Sequence, residues 1–117
     1  MTVSLVGLTL HVADVDRSVE FYRRLPDAVV LFHLPGRFAL LRVGQGRLGL
    51  LADQSRPFHI ELEVADLDAA AAELQARGVE IDGPTERPWG ERDLLARDPD
   101  GNLLEFAAPR GAREPGS

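Results

Sequence analysis

The chain of 117 residues contains no cysteine, and this absence excludes several kinds of chemistry. Disulfide bonds, thiol nucleophiles and thiolate metal sites all require a sulfhydryl group, so the protein uses none of them. A chain without cysteine also agrees with a cytoplasmic location, which is the location we expect.

Long apolar runs and an excess of basic residues are missing as well. No stretch approaches the roughly 18 consecutive apolar residues of a membrane-spanning helix. The first residues, Met-Thr-Val-Ser-Leu, lack the charged start and apolar segment of a secretion signal. The formal net charge is -6, with 19 acidic against 13 basic residues, and no basic stripe is visible. We therefore expect neither a membrane nor a nucleic acid as a partner.

A short internal repeat is the most informative feature that the sequence does contain. Residues 12–16 read Val-Ala-Asp-Val-Asp, and residues 64–68 read Val-Ala-Asp-Leu-Asp, so four of five positions match at an offset of 52. Each copy follows an alternating, strand-like run and precedes a helix-like run. A repeat of this length indicates two similar supersecondary units, each too small to bury its apolar face alone.

Periodicity gives the same order of elements in both halves. Leu8, Leu10 and Val12 alternate with polar or small residues, as in a strand with one buried face. Asp14 and Asp66 are placed as N-caps of the two helices. The remaining strands are expected at 28–34, 38–43 and 47–52, and in the second half at 59–64, 79–81, 93–97 and 102–107, with a loop over 84–90. The pattern is strand-helix-strand-strand-strand, twice.

The chain resembles the vicinal oxygen chelate superfamily, which includes glyoxalase I, extradiol dioxygenases and bleomycin-resistance proteins. The resemblance is carried by the paired Val-Ala-Asp-x-Asp segments, by Ser-Val-Glu-Phe-Tyr at 18–22, and most specifically by 88–92 and 98–106. It implies an α+β fold with two βαβββ modules forming open half-barrels. One domain over 1–108 is expected, with module one at 1–53, module two at 57–108 and a disordered tail at 109–117. It further implies a homodimer and a cavity where modules meet.

The resemblance also implies where a metal would bind. In the metal-dependent members, ligands lie at the start of the first strand, at the start of the equivalent strand in module two, and on the last strand. The last two positions are His59 and Glu105, whereas the first is Gly7, which has no side chain. A fourth position used by some members falls at about Leu50. Only two ligands therefore remain, and a catalytic divalent site usually has three.

Strand parity predicts which residues line the cavity. If the apolar residues of the first, fifth and last strands pack under the helices, the opposite face carries polar side chains. Trp89 is expected at the rim, and Phe38 is expected on the wall or in the core. The candidate ligand-binding residues are His11, His59, Glu61, Glu63, Trp89, Glu105 and Phe38. The alternative to a cavity is that these polar residues form the solvated face of a one-sided sheet.

The residues expected to line the cavity suggest two functions. The acidic side chains favour a cationic ligand, and aromatic faces favour a planar one, so the first expectation is metal-free sequestration of a small aromatic or cationic compound. In that case no cofactor is expected. The alternative is a metal-dependent lyase, isomerase or dioxygenase, with His59 and Glu105 as ligands of Zn, Ni, Mn or Fe. Glycine at position 7 is the feature that favours the metal-free function.

Overall fold

The computed structural model describes residues 1–53, 58–88 and 90–109. Ten elements follow one another along these residues. They are β1 (Val3–His11), α1 (Val15–Tyr22), β2 (Ala28–Leu34), β3 (Phe38–Val43), β4 (Gly46–Leu51), β5 (His59–Val64), α2 (Leu67–Ala76), β6 (Asp82–Glu86), β7 (Arg92–Arg97) and β8 (Leu103–Ala107). The predicted α+β class with two βαβββ modules is confirmed.

The chain forms two compact units, one comprising Val6–His59 and the other Met1–Leu5 with the residues from Ile60 onward. In module one the strands are ordered β2-β3-β4-β1, with β1 and β4 parallel. Helix α1 covers one face of this sheet. Its core contains Val15, Val19, Ala39, Leu41 and Leu50, with Leu10 and Val12 packed against it.

Module two repeats the arrangement with the strand order β5-β8-β7-β6. Helix α2 covers one face, and the core beneath it is built from alternate residues of the strands. The buried members are Val64, Leu67, Ala70, Ala71, Leu94, Ala96 and Phe106. Because side chains alternate between the faces of a strand, the residues between these core positions lie on the opposite face of the sheet.

Both helices begin where the sequence predicts. The carboxylate of Asp14 accepts a hydrogen bond from the Arg17 amide at 3.0 Å, and Asp66 accepts one from the Ala69 amide at the same distance. Each of these bonds satisfies an amide that has no partner within its helix. Gly78, with φ of +83°, follows the end of α2 in the left-handed conformation expected of a terminating glycine.

The strand predicted at 79–81 is wrong, and the loop predicted over 84–90 begins too early. The strand lies instead at Asp82–Glu86 and runs through Gly83 and Pro84. Proline is acceptable there because β6 is the outermost strand of the described sheet. On its open edge, a backbone amide has no adjacent strand as a hydrogen-bond partner. The pairing with β7 also shifts register between Asp82 and Thr85. Residues 54–57, between the two predicted modules, lie outside the described residues, as does the predicted tail beyond Pro109.

Strand β2 is unusual because it exposes apolar side chains on both faces. Val29, Leu31, Phe32 and Leu34 are all more than two-fifths exposed, and Val30 nearly so. A register shift between Val30 and Phe32 places an extra residue, Leu31, in the strand. Among the described strands, β2 pairs only with β3, so its other edge is open. Among the described residues, no helix is long and apolar enough to cross a membrane.

Asp16 ties helix α1 to the turn between β2 and β3. Its Oδ1 accepts a hydrogen bond from the Gly36 amide at 3.0 Å and lies 2.7 Å from His33 Nε2. The Gly36 amide, followed by His33, lowers the pKa of Asp16 below its ordinary value of 3.8. A carboxylate whose pKa is depressed by folding stabilises the folded state above its unfolded pKa.

Asp16→Asn is therefore expected to lower the free energy of unfolding at pH 7. The deficit should shrink as the pH falls from 3.8 through the lower folded pKa, because Asp16 itself becomes neutral there. Urea unfolding of both proteins at pH 7 and pH 3 measures the difference. Glu20→Gln, on the same helix, is the control and should change stability little, since its partner Arg23 is an exposed side chain at 3.4 Å. A deficit that is constant with pH would contradict the electrostatic explanation.

Candidate metal centre

Three potential metal ligands converge on strands β5 and β8. His59, Glu61 and Glu105 each present one ligand atom, and these atoms all lie within 4.8 Å of one another. His59 is 4% exposed, and the two glutamates are half-buried. We refer to these three residues as the donor group.

Strand geometry explains why these side chains meet. His59 and Glu61 are two residues apart on β5, so they share the face opposite α2. On β8, Leu104 and Phe106 pack toward α2, which directs Glu105 between them to the same opposite face. The strands β5 and β8 are neighbours in the sheet, and adjacent strands lie about 4.8 Å apart.

The chemistry of the donor group suits a divalent transition metal. An imidazole and carboxylates are ligands of Zn²⁺, and catalytic zinc sites usually have three protein ligands and one open position. Two carboxylates also offset the double positive charge of the ion. The residues present therefore fit such a metal, and Glu61 would be the third ligand, at a position that the resemblance does not predict.

The equivalent positions in module one carry no comparable ligands. Gly7 and Thr9 occupy the places on β1 that His59 and Glu61 occupy on β5. Gly49 lies between the core residues Leu48 and Leu50, as Glu105 lies between Leu104 and Phe106. Leu50, the position named for a fourth ligand, is completely buried in the core beneath α1.

Space explains why positions 7 and 49 are glycine. A Cβ atom on Gly7 would collide with the backbone carbonyl of Arg47, whose carbon would lie at 2.9 Å. A Cβ atom on Gly49 would lie 2.5 Å from Thr9 Oγ1. These positions allow close approach of β1 and β4, and neither has room for a ligand side chain.

Gly7→His is therefore not expected to restore a metal ligand. Gly7→Ala already inserts the colliding atom and should destabilise the protein by about 1–3 kcal/mol, the usual cost of overpacking. Gly46→Ala is the matched control, because its added Cβ would meet nothing closer than 3.8 Å. Urea unfolding measures both variants, and equal stability of the two would contradict the predicted collision.

Of the other predicted site residues, none that the structure describes is a member of the donor group. Glu63 is half-buried on β5, one same-face step beyond Glu61. His11 is exposed at the end of β1, with Nε2 at 3.3 Å from the carbonyl oxygen of Ala52. Phe38 is half-buried on β3, and its ring lies 6.1 Å from that of Phe32. Trp89 lies outside the described residues.

An ion pair near the donor group was not anticipated from the sequence. Asp93, on β7, is 1% exposed, and Arg87, just after β6, donates hydrogen bonds to both of its carboxylate oxygens. The only signal in the sequence is the polar residue at position 93, directly before two leucines in a strand-like run. Asp93 raises the pKa of Arg87 above its already high value.

Comparison with known proteins identifies the family. The Glyoxalase/Bleomycin resistance protein/Dioxygenase superfamily profile matches residues 4–106, nearly the whole described chain. The chain belongs to this superfamily. The glyoxalase domain-containing protein RDO1 of Mycosarcoma maydis is 30% identical, and the match covers 94% of this chain and 70% of that protein.

Several solved structures have the same fold as this chain. Methylmalonyl-CoA epimerase from Mycobacterium tuberculosis is 25% identical with a TM-score of 0.70, over 90% of this chain and 87% of that chain. The Streptomyces coelicolor methylmalonyl-CoA epimerase is 27% identical with a TM-score of 0.66, over 92% and 97%. The hypothetical protein BH1468 from Bacillus halodurans, at 20% identity and a TM-score of 0.74 over 94% and 96%, shares the fold.

Proposed function

We propose that the protein is a metal-dependent enzyme of the glyoxalase superfamily, with His59, Glu61 and Glu105 as its metal ligands. The single observation that supports this function is the convergence of three ligand atoms within 4.8 Å. Two ligands, as expected from the resemblance alone, would bind a divalent ion weakly. A third donor completes the set that catalytic sites of this kind usually have.

The imidazole and the two carboxylates of the donor group have different roles in this proposal. His59 would hold the ion through a ring nitrogen, and its side chain is buried. Glu61 and Glu105 supply the negative charge. When bound, a divalent ion acts as a Lewis acid that polarises an oxygen of the substrate. Glu63 contributes a further carboxylate to the same face, about 7 Å along the strand from Glu61.

The reaction class that we propose first is isomerisation. The two methylmalonyl-CoA epimerases resemble this chain at 25% and 27% identity over nine-tenths of its length. Lyase and dioxygenase activity, the other reactions of the metal-dependent members, are the alternatives within the same proposal.

Metal content tests this function directly. The purified protein is dialysed against Zn²⁺, Ni²⁺, Mn²⁺ or Fe²⁺ in turn, then against metal-free buffer, and analysed for bound metal. We expect about one ion per chain for at least one of the four. The triple variant His59→Ala/Glu61→Gln/Glu105→Gln is the control and should retain none. Equal metal content of the two proteins would contradict the proposal.

Metal-free binding of a small aromatic or cationic compound is the second candidate function. The observation that favours it is the aromatic pair of Phe32 and Phe38, on the face of module one opposite α1. Phe32 is 52% exposed, so its ring is accessible to a planar ligand. If no metal binds, a thermal-shift screen with planar cations should give stabilising hits that Glu63→Gln weakens.

We also propose that the protein is a homodimer, because the apolar edge strand β2 gives a second copy a surface to cover. Sedimentation at micromolar concentration should give twice the chain mass of 12.8 kDa. Leu31→Lys, which places a charge on the exposed strand, should shift the protein toward the monomer. A wild-type protein that sediments only as a monomer would contradict this assembly.

A further inference from the structure

The ion pair between Arg87 and Asp93 is more deeply buried than an ordinary ion pair on a protein surface. Arg87 Nε lies 3.0 Å and 2.9 Å from the two oxygens of Asp93, and Nη2 lies 2.7 Å from Oδ1. The side chains are 22% and 2% exposed. Burying such a pair costs desolvation energy that its own attraction offsets only in good geometry, so a buried pair is weak evidence for a stabilising role.

The pair lies beside the donor group on the same face of module two. Leu95 of β7 is the register partner of Glu105 of β8. Asp93 is two residues before Leu95, so it shares the face of Glu105 and is its diagonal neighbour, at about 7–8 Å between Cα atoms. After Asp93, the negative charge of Glu105 also raises the pKa of Arg87.

Asp93 occupies only part of the hydrogen-bonding capacity of Arg87. A guanidinium group has five N–H donors, and the bonds to Asp93 use Nε and one hydrogen of Nη2. Within the described part of the chain, Nη1 has no hydrogen-bond partner. The backbone of Arg87 is fixed as well, because its amide donates to the Glu91 carbonyl at 2.6 Å and its own carbonyl accepts from the Gly90 amide at 2.9 Å.

We propose that Arg87 binds a carboxylate of the substrate next to the donor group, so that the substrate is a small carboxylic acid. This inference rests on the proposed metal-dependent function. Arginine is suited to the role because its planar fork matches a carboxylate and Asp93 holds it in one orientation before the ligand arrives. A bound divalent ion would offset the negative charges of Glu61 and Glu105. Without that ion, the acidic face would repel an anionic substrate.

The inference predicts discrimination between a carboxylate and its uncharged amide. Lactate and lactamide have the same shape and the same hydroxyl group and differ in charge. The Zn²⁺-loaded protein is titrated with each compound, and binding is followed by NMR. We expect lactate to bind the wild-type protein about tenfold to hundredfold more tightly, which is the range for a hydrogen bond to a charged group.

Two variants assign that preference to Arg87. Arg87→Gln should remove the preference for lactate. Arg92→Gln is the matched control, because Arg92 begins the same strand β7 but pairs with Asp68 of α2 at 3.0 Å, and it should leave the preference unchanged. Arg87→Gln leaves the buried Asp93 without its cation, so the double variant Arg87→Gln/Asp93→Asn provides the same test if the single variant does not fold.

The outcomes separate this inference from the function on which it rests. A wild-type protein that takes up no Zn²⁺ overturns both. A protein that binds Zn²⁺ but takes lactate and lactamide equally, or a lactate preference that survives in the Arg87 variants, overturns the role of Arg87 alone. Zn²⁺ affinity is measured for every variant, since a tenfold loss there would place Arg87 in the support of the metal and not at the substrate.

Discussion

His59→Ala is expected to weaken Zn²⁺ binding by about a hundredfold or more. Removal of a group that only orients a metal ligand already costs about tenfold to hundredfold in affinity, and loss of the ligand itself should reach the upper end of that range. Glu61→Gln and Glu105→Gln should each have a comparable effect, because each removes one of three donor atoms that lie within 4.8 Å. Isothermal titration with Zn²⁺ at fixed pH gives the three affinities.

Two matched variants complete this experiment. His11→Ala removes an exposed imidazole, and Glu63→Gln removes a half-buried carboxylate on the same face of β5. Neither residue belongs to the donor group, so both variants should bind Zn²⁺ within a fewfold of the wild-type protein. If Glu61→Gln matched these controls, the site would have only His59 and Glu105, as the superfamily resemblance implies.

Leu50→Ala is expected to destabilise the protein by about 2–5 kcal/mol, the range for truncating a buried leucine. The side chain is fully buried in the core beneath α1, where the surrounding residues cannot collapse completely into the space it leaves. Such a loss is a large fraction of the stability of a domain of this size. Urea unfolding monitored by circular dichroism measures the change.

Leu5→Ala is the control for this prediction. It makes the same chemical change in β1 at a side chain that is 67% exposed, so the effect should be well below that of Leu50→Ala. Similar losses for the two variants would indicate that Leu50 packs less tightly than its burial implies.

Local signals in the sequence predicted most of the fold. The capping carboxylates of Asp14 and Asp66 were recognisable because an N-cap depends on its own helix only. The strands Ala28–Leu34 and Phe38–Val43 were predicted with their observed bounds. β6 was misplaced because Gly83 and Pro84 usually break a strand, and only its position at the edge of the sheet permits them there.

The candidate site was less predictable because it depends on which strands are neighbours. Strand parity correctly placed Glu61 on the face of His59, yet its convergence with Glu105 requires the β5–β8 adjacency. The pair between Arg87 and Asp93 likewise joins residues across the β6–β7 turn. Gly7 has no side chain that could bind a metal, but the collision with Arg47 that prevents larger residues there follows only from the register of β1 and β4.

The open edge of β2 has a consequence for how the protein behaves when it is concentrated. The strand reads Ala-Val-Val-Leu-Phe-His-Leu, and His33 is its only ionisable side chain. This composition is typical of an aggregation-prone segment. Natural proteins interrupt such segments with gatekeeper charges, and the extra residue at Leu31 is the one geometric interruption along this strand. Solubility should therefore depend on this single strand, and a lysine at position 31 should extend the concentration range in which the protein stays dispersed.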